Sequence, residues 1–187
     1  MDNPFAIGFV VGVLLVVVLL IWTYNRLVRL RNRVQNAWSD VDVQLKRRHD
    51  LVPNLVETVR GYMEHERQTL EAVTSARAQA MTTGASIGAR AVAEMALTGA
   101  VGNLFAVAER YPALRAAQNF TLLQEQLTTT ENRIAFARQY YNESVMQYNT
   151  AIATFPRNLI AGVMGFSPAA MFAAEPGDRA NIAVKVN

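Results

Sequence analysis

The chain has 187 residues, 18 of them Lys or Arg against 15 Asp or Glu, and it contains no cysteine. Without cysteine it can form no disulfide and use no thiolate nucleophile, which suits a cytoplasmic domain. The length allows one domain with a sizeable core. The basic clusters are short and interleaved with acidic residues, so the composition argues against nucleic acid as a partner.

The first predicted element is an uncharged apolar run from Phe5 to Trp22. A helix of this length rises about 1.5 Å per residue and crosses the roughly 30 Å hydrocarbon core of a bilayer. We therefore predict an external N-terminus over residues 1–4 and a transmembrane helix over residues 5–23. A cleaved signal peptide is the alternative, but it needs positive charge before the run and small residues after it. Here the run ends in Trp22 and Tyr24, which are typical of a membrane interface.

Two glycines inside the run, Gly8 and Gly12, form a G-x-x-x-G pair. Small residues at this spacing let two membrane helices approach closely, so these glycines are candidate positions for helix packing. The same pattern also arises by chance in apolar segments, and a membrane helix without a partner is the alternative.

Four arginines follow the run, and every Lys and Arg of the chain lies beyond it. Because positive charge accumulates on the cytoplasmic side of membrane helices, we place everything after Tyr24 in the cytoplasm. Each arginine near the surface is also expected to contact anionic lipid headgroups, a contribution of about 1 kcal/mol. These residues are Arg26, Arg29, Arg31 and Arg33.

Residues 24–156 are predicted to be helical because apolar residues recur there at spacings of three and four. Pro53 predicts a kink or restart near Asp50, since proline lacks an amide hydrogen and crowds the preceding turn. Met81–Gly88 predicts a loop, and Pro112 predicts a further corner. The expected fold is therefore all-α, with the transmembrane helix continuing into an antiparallel four-helix bundle.

The tail, residues 157–187, combines glycines and prolines with large apolar side chains between Leu159 and Phe172. A disordered segment would contain fewer such side chains, so we expect them to be buried on the bundle, the membrane or a partner. Identical neighbours that cover Leu159–Phe172 would make the protein a homo-oligomer. Asn181–Asn187 is expected to be a short strand, which makes the tail partly extended.

Residues able to support catalysis are few. His65 and Glu66 open like the helix of a zinc protease, but the second histidine of that motif is replaced by Thr69, so one metal ligand is missing. We predict no catalytic, cofactor or metal site. The alternative is a hydrolase that uses His65, Glu66 and Glu131 inside the bundle, and a solvent-facing His65 would argue against it.

Some charged residues fall on the apolar stripes of the predicted helices. Their charged ends either reach water or form a buried network that fixes the register of the helices. The candidate members of this network are Glu66, Arg77, Glu131 and Arg138.

Segments spread over nearly the whole chain resemble the LemA family. They include Tyr24–Leu27 (YNRL), Ala37–Ser39 (AWS), Asp50–Val56 (DLVPNLV), Glu109–Leu114 (ERYPAL), Thr130–Ala135 (TENRIA) and Tyr140–Val145 (YYNESV). The chain departs from the family in its alanine-rich segment Pro168–Ala174, where an aromatic pair is common.

The resemblance implies a single-pass protein of the bacterial inner membrane with a cytoplasmic helical bundle, no enzymatic activity and no cofactor. It also implies a role as scaffold or adaptor in the cell envelope, where related proteins take part in magnetosome membrane formation. Genes of the family often neighbour those of membrane metalloproteases, so a membrane protease or another envelope protein is an implied partner.

Overall fold

The computed structural model describes residues 4–82 and 86–172, and within these ranges all regular secondary structure is helical. The all-α prediction is therefore confirmed, while the strand expected at residues 181–187 lies outside the described residues. The helices are α1 (Pro4–Arg60), α2 (Arg67–Thr82), α3 (Ile87–Ala108), α4 (Pro112–Arg115), α5 (Gln118–Ala153) and α6 (Arg157–Val163).

The first helix continues unbroken through 57 residues, which corresponds to about 85 Å at 1.5 Å per residue. Of the kink or restart predicted near Asp50, the restart is wrong, because Pro53 lies inside α1. A proline there removes one backbone hydrogen bond and crowds the preceding turn. Its neighbours Val52 and Leu55 are fully buried, so core packing on both sides outweighs this local cost. The chain turns instead at residues 61–66.

The part of α1 that contains the apolar run is exposed on every side. Each side chain described between Gly8 and Trp22 is exposed. By length and composition, two described helices could cross a membrane, α1 and α3. The most apolar part of α3 is 33% buried within the protein, against 6% for that of α1. The run of α1 is therefore the segment that most needs an apolar environment outside the protein.

Beyond Tyr24, the same helix becomes the central element of the core. It packs lengthwise against α5, while α2 packs lengthwise against α3. An apolar cluster nearer the apolar run contains Leu27, Val41 and Leu45 of α1 with Ile134, Tyr141 and Val145 of α5. A second cluster contains Val52, Leu55 and Val59 of α1 with Val73 of α2, Leu97 of α3 and Leu127 of α5.

The described part of the tail returns to its own helical domain. Helix α6 packs against both α1 and α5. The segment after α6 follows α5 as far as Phe172, whose side chain is buried in the cluster nearer the apolar run. Leu159, Val163 and Met164 stay exposed, so the domain covers only part of the apolar surface between Leu159 and Phe172.

Two asparagines of α5 hold this segment by its backbone. Asn149 accepts a hydrogen bond from the amide of Ala169 and donates one to its carbonyl, both at 2.9 Å. Asn142 does the same for Phe172, at 2.8 and 3.1 Å. An asparagine amide group is both donor and acceptor, so it can replace a strand partner for an extended chain.

Candidate functional site

A group of charged side chains lies inside the domain, between the two apolar clusters. It is built around Arg48 of α1. Arg48 is 1% exposed, and its guanidinium donates hydrogen bonds to the carboxylates of Glu94 on α3 and Glu131 on α5. It also donates to the hydroxyl of Thr98 at 2.7 Å. Because a guanidinium offers five N–H donors in a planar fork, one arginine can serve several acceptors. Arg48 thereby links three helices.

The residue after Arg48 extends the group to a fourth helix. The side chain of His49 is buried, and its Nε2 lies 3.0 Å from Oε1 of Glu94. The His49 carbonyl accepts a 2.7 Å hydrogen bond from Nε of Arg77 on α2. We call Arg48, His49, Glu94, Thr98 and Glu131 the Arg48 cluster. All four long helices meet at it.

The electrostatics of the cluster favour an ionised Glu94. Burial alone would raise the pKa of Glu94, since desolvation disfavours a carboxylate. The contact with His49 and the positive charge of Arg48 outweigh burial and lower the pKa below its ordinary value of 4.5. Near neutral pH the buried Arg48 and Glu94 therefore form an ion pair, and neither charge is left uncompensated.

A cavity of about 230 Å³, lined by both polar and apolar side chains, adjoins the cluster. Arg138 and Phe172 line it together with cluster residues, and the guanidinium of Arg138 lies 4.7 Å from the centre of the Phe172 ring. Among the described residues, no group of three His, Cys, Asp or Glu side chains could hold a metal ion. Both carboxylates at the cavity are engaged by Arg48, so the arrangement is suited to holding helices together.

The structure separates the four residues considered for an interior network. Glu131 belongs to the Arg48 cluster, Arg138 lines the adjoining cavity, and Arg77 joins through the His49 carbonyl. Glu66 lies apart from them.

Glu66 belongs to a separate contact near the turn that follows α1. Its carboxylate accepts hydrogen bonds from Arg110 at 3.0 Å and from the Tyr111 hydroxyl at 3.2 Å. Partial burial of the phenol and the nearby Glu66 charge raise the pKa of Tyr111. The neighbouring His65 is exposed. This contact ties the turn to the end of α3.

Arg48, His49 and Glu94 were missed by the sequence reasoning, although the apolar spacing contains a signal for them. Arg48 continues the stripe of Val41 and Leu45 at the next step of three, and Val52 follows at four. The break predicted at Pro53 ended that stripe too early. On α3, Glu94 likewise stands three residues after the buried Ala91 and three before Leu97.

The residues expected at the membrane are all on the surface of the protein. A Cβ added at Gly8 or Gly12 would meet no atom within 4 Å, so this face of α1 is open. The four arginines after the run are all exposed. Arg26 lies 5.6 Å from the centre of the Trp22 ring, and Arg33 donates a 3.1 Å hydrogen bond to Gln147.

Comparison with known proteins identifies relatives over most of the chain. It is 27% identical to magnetosome protein MamQ 2 of Paramagnetospirillum magneticum, over 89% of this chain and 71% of that protein. It is 28% identical to magnetosome protein MamQ of Magnetospirillum gryphiswaldense, over 84% and 67%. It is 25% identical to protein LemA of Metamycoplasma hominis, over 84% and 72%. The model of the LemA family matches residues 37–187. The resemblance seen in the sequence is thus confirmed, and the chain belongs to the LemA family.

Proposed function

We propose that this chain is a non-catalytic, membrane-anchored scaffold or adaptor of the bacterial cell envelope. The observation that carries the proposal is the continuity of α1, which contains the apolar run and then supplies Leu27, Val41 and Val59 to the core. A domain built around its own anchor cannot swing on a linker, so it presents a fixed surface to other molecules at the membrane. Membership of the LemA family and the magnetosome relatives support a membrane-associated role.

The helical domain is, in this proposal, an antiparallel four-helix bundle of α1, α2, α3 and α5. Arg33 contacts Gln147, whereas Arg48, further along α1, contacts Glu131, which is earlier on α5. Residue numbers thus rise along α1 as they fall along α5, which supports opposite directions. The Arg48 cluster would fix the register, since a shifted helix would leave a buried charge without its partner.

The surroundings of His65, Glu66 and Glu131 support a non-catalytic role over the hydrolase alternative. His65 is exposed, Glu66 pairs with Arg110, and Glu131 pairs with Arg48. A hydrolase would need an acid and a base aimed at one reacting atom. These three side chains instead occupy different surroundings, and each carboxylate has an arginine partner.

The proposed topology is single-pass in the inner membrane, with the N-terminus outside and the domain in the cytoplasm. The basic residues beyond the apolar run support it. Because the chain has no native cysteine, variants Asn3→Cys and Asn187→Cys each carry one thiol. In intact cells a membrane-impermeant maleimide should label the Asn3→Cys variant and leave the Asn187→Cys variant unlabelled. The reverse labelling pattern would contradict the orientation.

Self-association is the proposed route by which a scaffold without chemistry acts, and the open face at Gly8 and Gly12 supports it. Under oxidising conditions in native membranes, Gly8→Cys and Gly12→Cys variants should form disulfide-linked dimers. Matched controls are Val10→Cys and Leu14→Cys, which place the thiol about 140–180° from the middle of the glycine face. Equal cross-linking at all four positions, or none, would contradict packing through the glycine face.

Docking of a membrane partner, such as a membrane protease or another envelope protein, is the other route. Native mass spectrometry of the full chain in mild detergent distinguishes the two. A homo-oligomer of defined stoichiometry supports self-association, and the headgroup contacts proposed for the four arginines predict anionic lipids among its retained ligands. A monomer at micromolar concentration contradicts self-association and leaves docking as the mechanism.

A further inference from the structure

Helix α6 presents an apolar face that the protein leaves uncovered. Leu159 is 62% exposed and Val163 is 84% exposed, while Ala161 on the opposite side is buried. Phe155 precedes Leu159 by four residues and is 75% exposed. Side chains four residues apart share a helix face, so Leu159 and Val163 form one line along α6, and Phe155 adds an exposed apolar side chain in the turn before it. Contiguous exposed apolar surface of this kind marks a binding surface.

The face lies beside the end of the apolar run. A groove of about 600 Å³ separates α6 from α1, with Leu20 and Ile21 on one wall and Leu159 and Val163 on the other. The surface that lines it is almost wholly apolar. A groove that is half made of the membrane run is continuous with whatever surrounds that run.

Aromatic contacts set the level of α6 along α1. The ring of Phe166, just after α6, packs edge-on against Tyr24 with 5.9 Å between the ring centres. Trp22 and Tyr24 are of the type that sits at headgroup level, and Leu20 lies about 3 Å from Trp22 along the axis, toward the hydrocarbon. The apolar face of α6 is therefore at the boundary between headgroups and hydrocarbon.

We propose that α6 is a second membrane contact of this protein. Its apolar face enters the leaflet that adjoins the helical domain, and a lipid acyl chain occupies the groove between α6 and α1. Amphipathic helices in this position bury their apolar side about 5–10 Å into the interface. Two attachments, the span of α1 and the face of α6, then hold the domain against the bilayer in one orientation.

The experiment measures whether lipid touches α6 in the full chain. Since there is no native cysteine, a Val163→Cys variant carries a single environment-sensitive fluorophore. It is reconstituted into vesicles of phosphatidylcholine and phosphatidylglycerol, with and without lipids spin-labelled near the headgroup end of the acyl chain. The control is Val43→Cys, at a site that is also exposed (61%) but lies about 30 Å beyond Trp22 along α1.

Spin-labelled lipid should quench the label of the Val163→Cys variant several-fold more strongly than that of the Val43→Cys variant. Aqueous iodide should show the opposite order. A second pair, Leu159→Cys with Leu122→Cys as control, should behave in the same way, since both side chains are exposed. Because all four sites are on the surface, the labels should not disturb folding.

Three outcomes would overturn the proposal. If iodide quenches the labels of the Val163→Cys and Val43→Cys variants to the same extent, and spin-labelled lipid quenches neither, α6 lies in water. Shielding from iodide that disappears when the protein is diluted in lipid would assign the groove to a second copy of the chain. If the label is shielded from iodide but not quenched by lipid, and deletion of residues 173–187 removes the shielding, the groove is occupied by the chain's own C-terminus. None of these readouts requires self-association, so the proposed scaffold function is tested separately.

Discussion

Replacing Arg48 with methionine tests whether the Arg48 cluster holds the helices together. The change removes the positive charge beside the Glu94 carboxylate, which is only 4% exposed. Breaking one partner of a buried ion pair costs about 3–5 kcal/mol of folding free energy. Glu131 is 34% exposed and can regain hydration, so most of the loss comes from Glu94. The Arg48→Met variant should therefore unfold with a free energy lower by about 3–5 kcal/mol.

Urea unfolding of the full chain in one detergent, followed by circular dichroism of the helices, measures this loss. Arg47→Met is the matched control, because Arg47 is the adjacent residue and is exposed; it should change stability by no more than about 0.5 kcal/mol. The double variant Arg48→Met with Glu94→Leu should recover most of the loss, since apolar groups often replace a buried ion pair without cost. If Arg48→Met unfolds with the same free energy as Arg47→Met, the charges of the cluster are hydrated and the cluster does not hold the helices together.

Three further predictions concern acid stability, Trp38 and the tail. Glu94 has a lowered pKa in the folded protein, so its contribution to stability is fully present above its ordinary value of 4.5 and is lost as the pH falls through the folded value. Acid titration of unfolding should show this loss in the wild type and in the exposed control Glu71→Gln, and a smaller one in Glu94→Gln; equal slopes would contradict it. Trp38 is only half-buried but packs on Tyr141 at 5.3 Å, so Trp38→Ala should cost about 3 kcal/mol, the lower end for such truncations. Phe136→Ala, at a 73% exposed site, is its control in thermal unfolding, and an unchanged midpoint for Trp38→Ala would place that ring outside the core. Asn149→Ala removes both hydrogen bonds to Ala169 and should speed hydrogen exchange at the Ala169 amide, whereas Asn158→Ala, at an exposed position, should not; unchanged exchange in Asn149→Ala would show that the tail is held by other contacts.

The apolar run and the helical class were predictable because both depend on residues that are close together in the sequence. An uncharged segment as long as a bilayer is thick needs no tertiary information to be recognised. Apolar spacing of three and four is likewise a property of each helix alone. These features come from residues near one another in sequence, and the structure agrees with them.

Pro53 shows where local rules stop. The rule that proline ends a helix considers only the lost hydrogen bond and the steric contact with the preceding turn. It takes no account of tertiary packing. In the protein the comparison includes the buried Val52 and Leu55 on either side, and their packing keeps α1 continuous. The chain turns at residues 61–66 instead. Gly61 lowers the helix propensity there, and Met63 is buried in the core.

The docking of the tail was only partly readable from the sequence. Tyr-Asn occurs at residues 141–142 and again at 148–149, and a spacing of seven puts both pairs on one face of α5. That repeat signals two similar polar positions. It does not reveal that their partners are backbone groups of a distant extended segment, since such partners carry no side-chain pattern of their own.

The positions of the charged side chains also explain why this helical domain contains an ion pair in its interior. Helix α3 is rich in alanine and glycine and lies along α2, so it has few large side chains with which to reach α1. Its described side-chain hydrogen bonds to α1 involve two ion pairs, Arg48 with Glu94 and Arg90 with Asp42, and the hydroxyl of Thr98, which accepts from Arg48. Apolar packing tolerates a helix that slides by a turn, whereas the buried pair of Arg48 and Glu94 does not. The charges therefore act where apolar packing is thinnest, and they fix the position of α3 against the helix that also contains the apolar run.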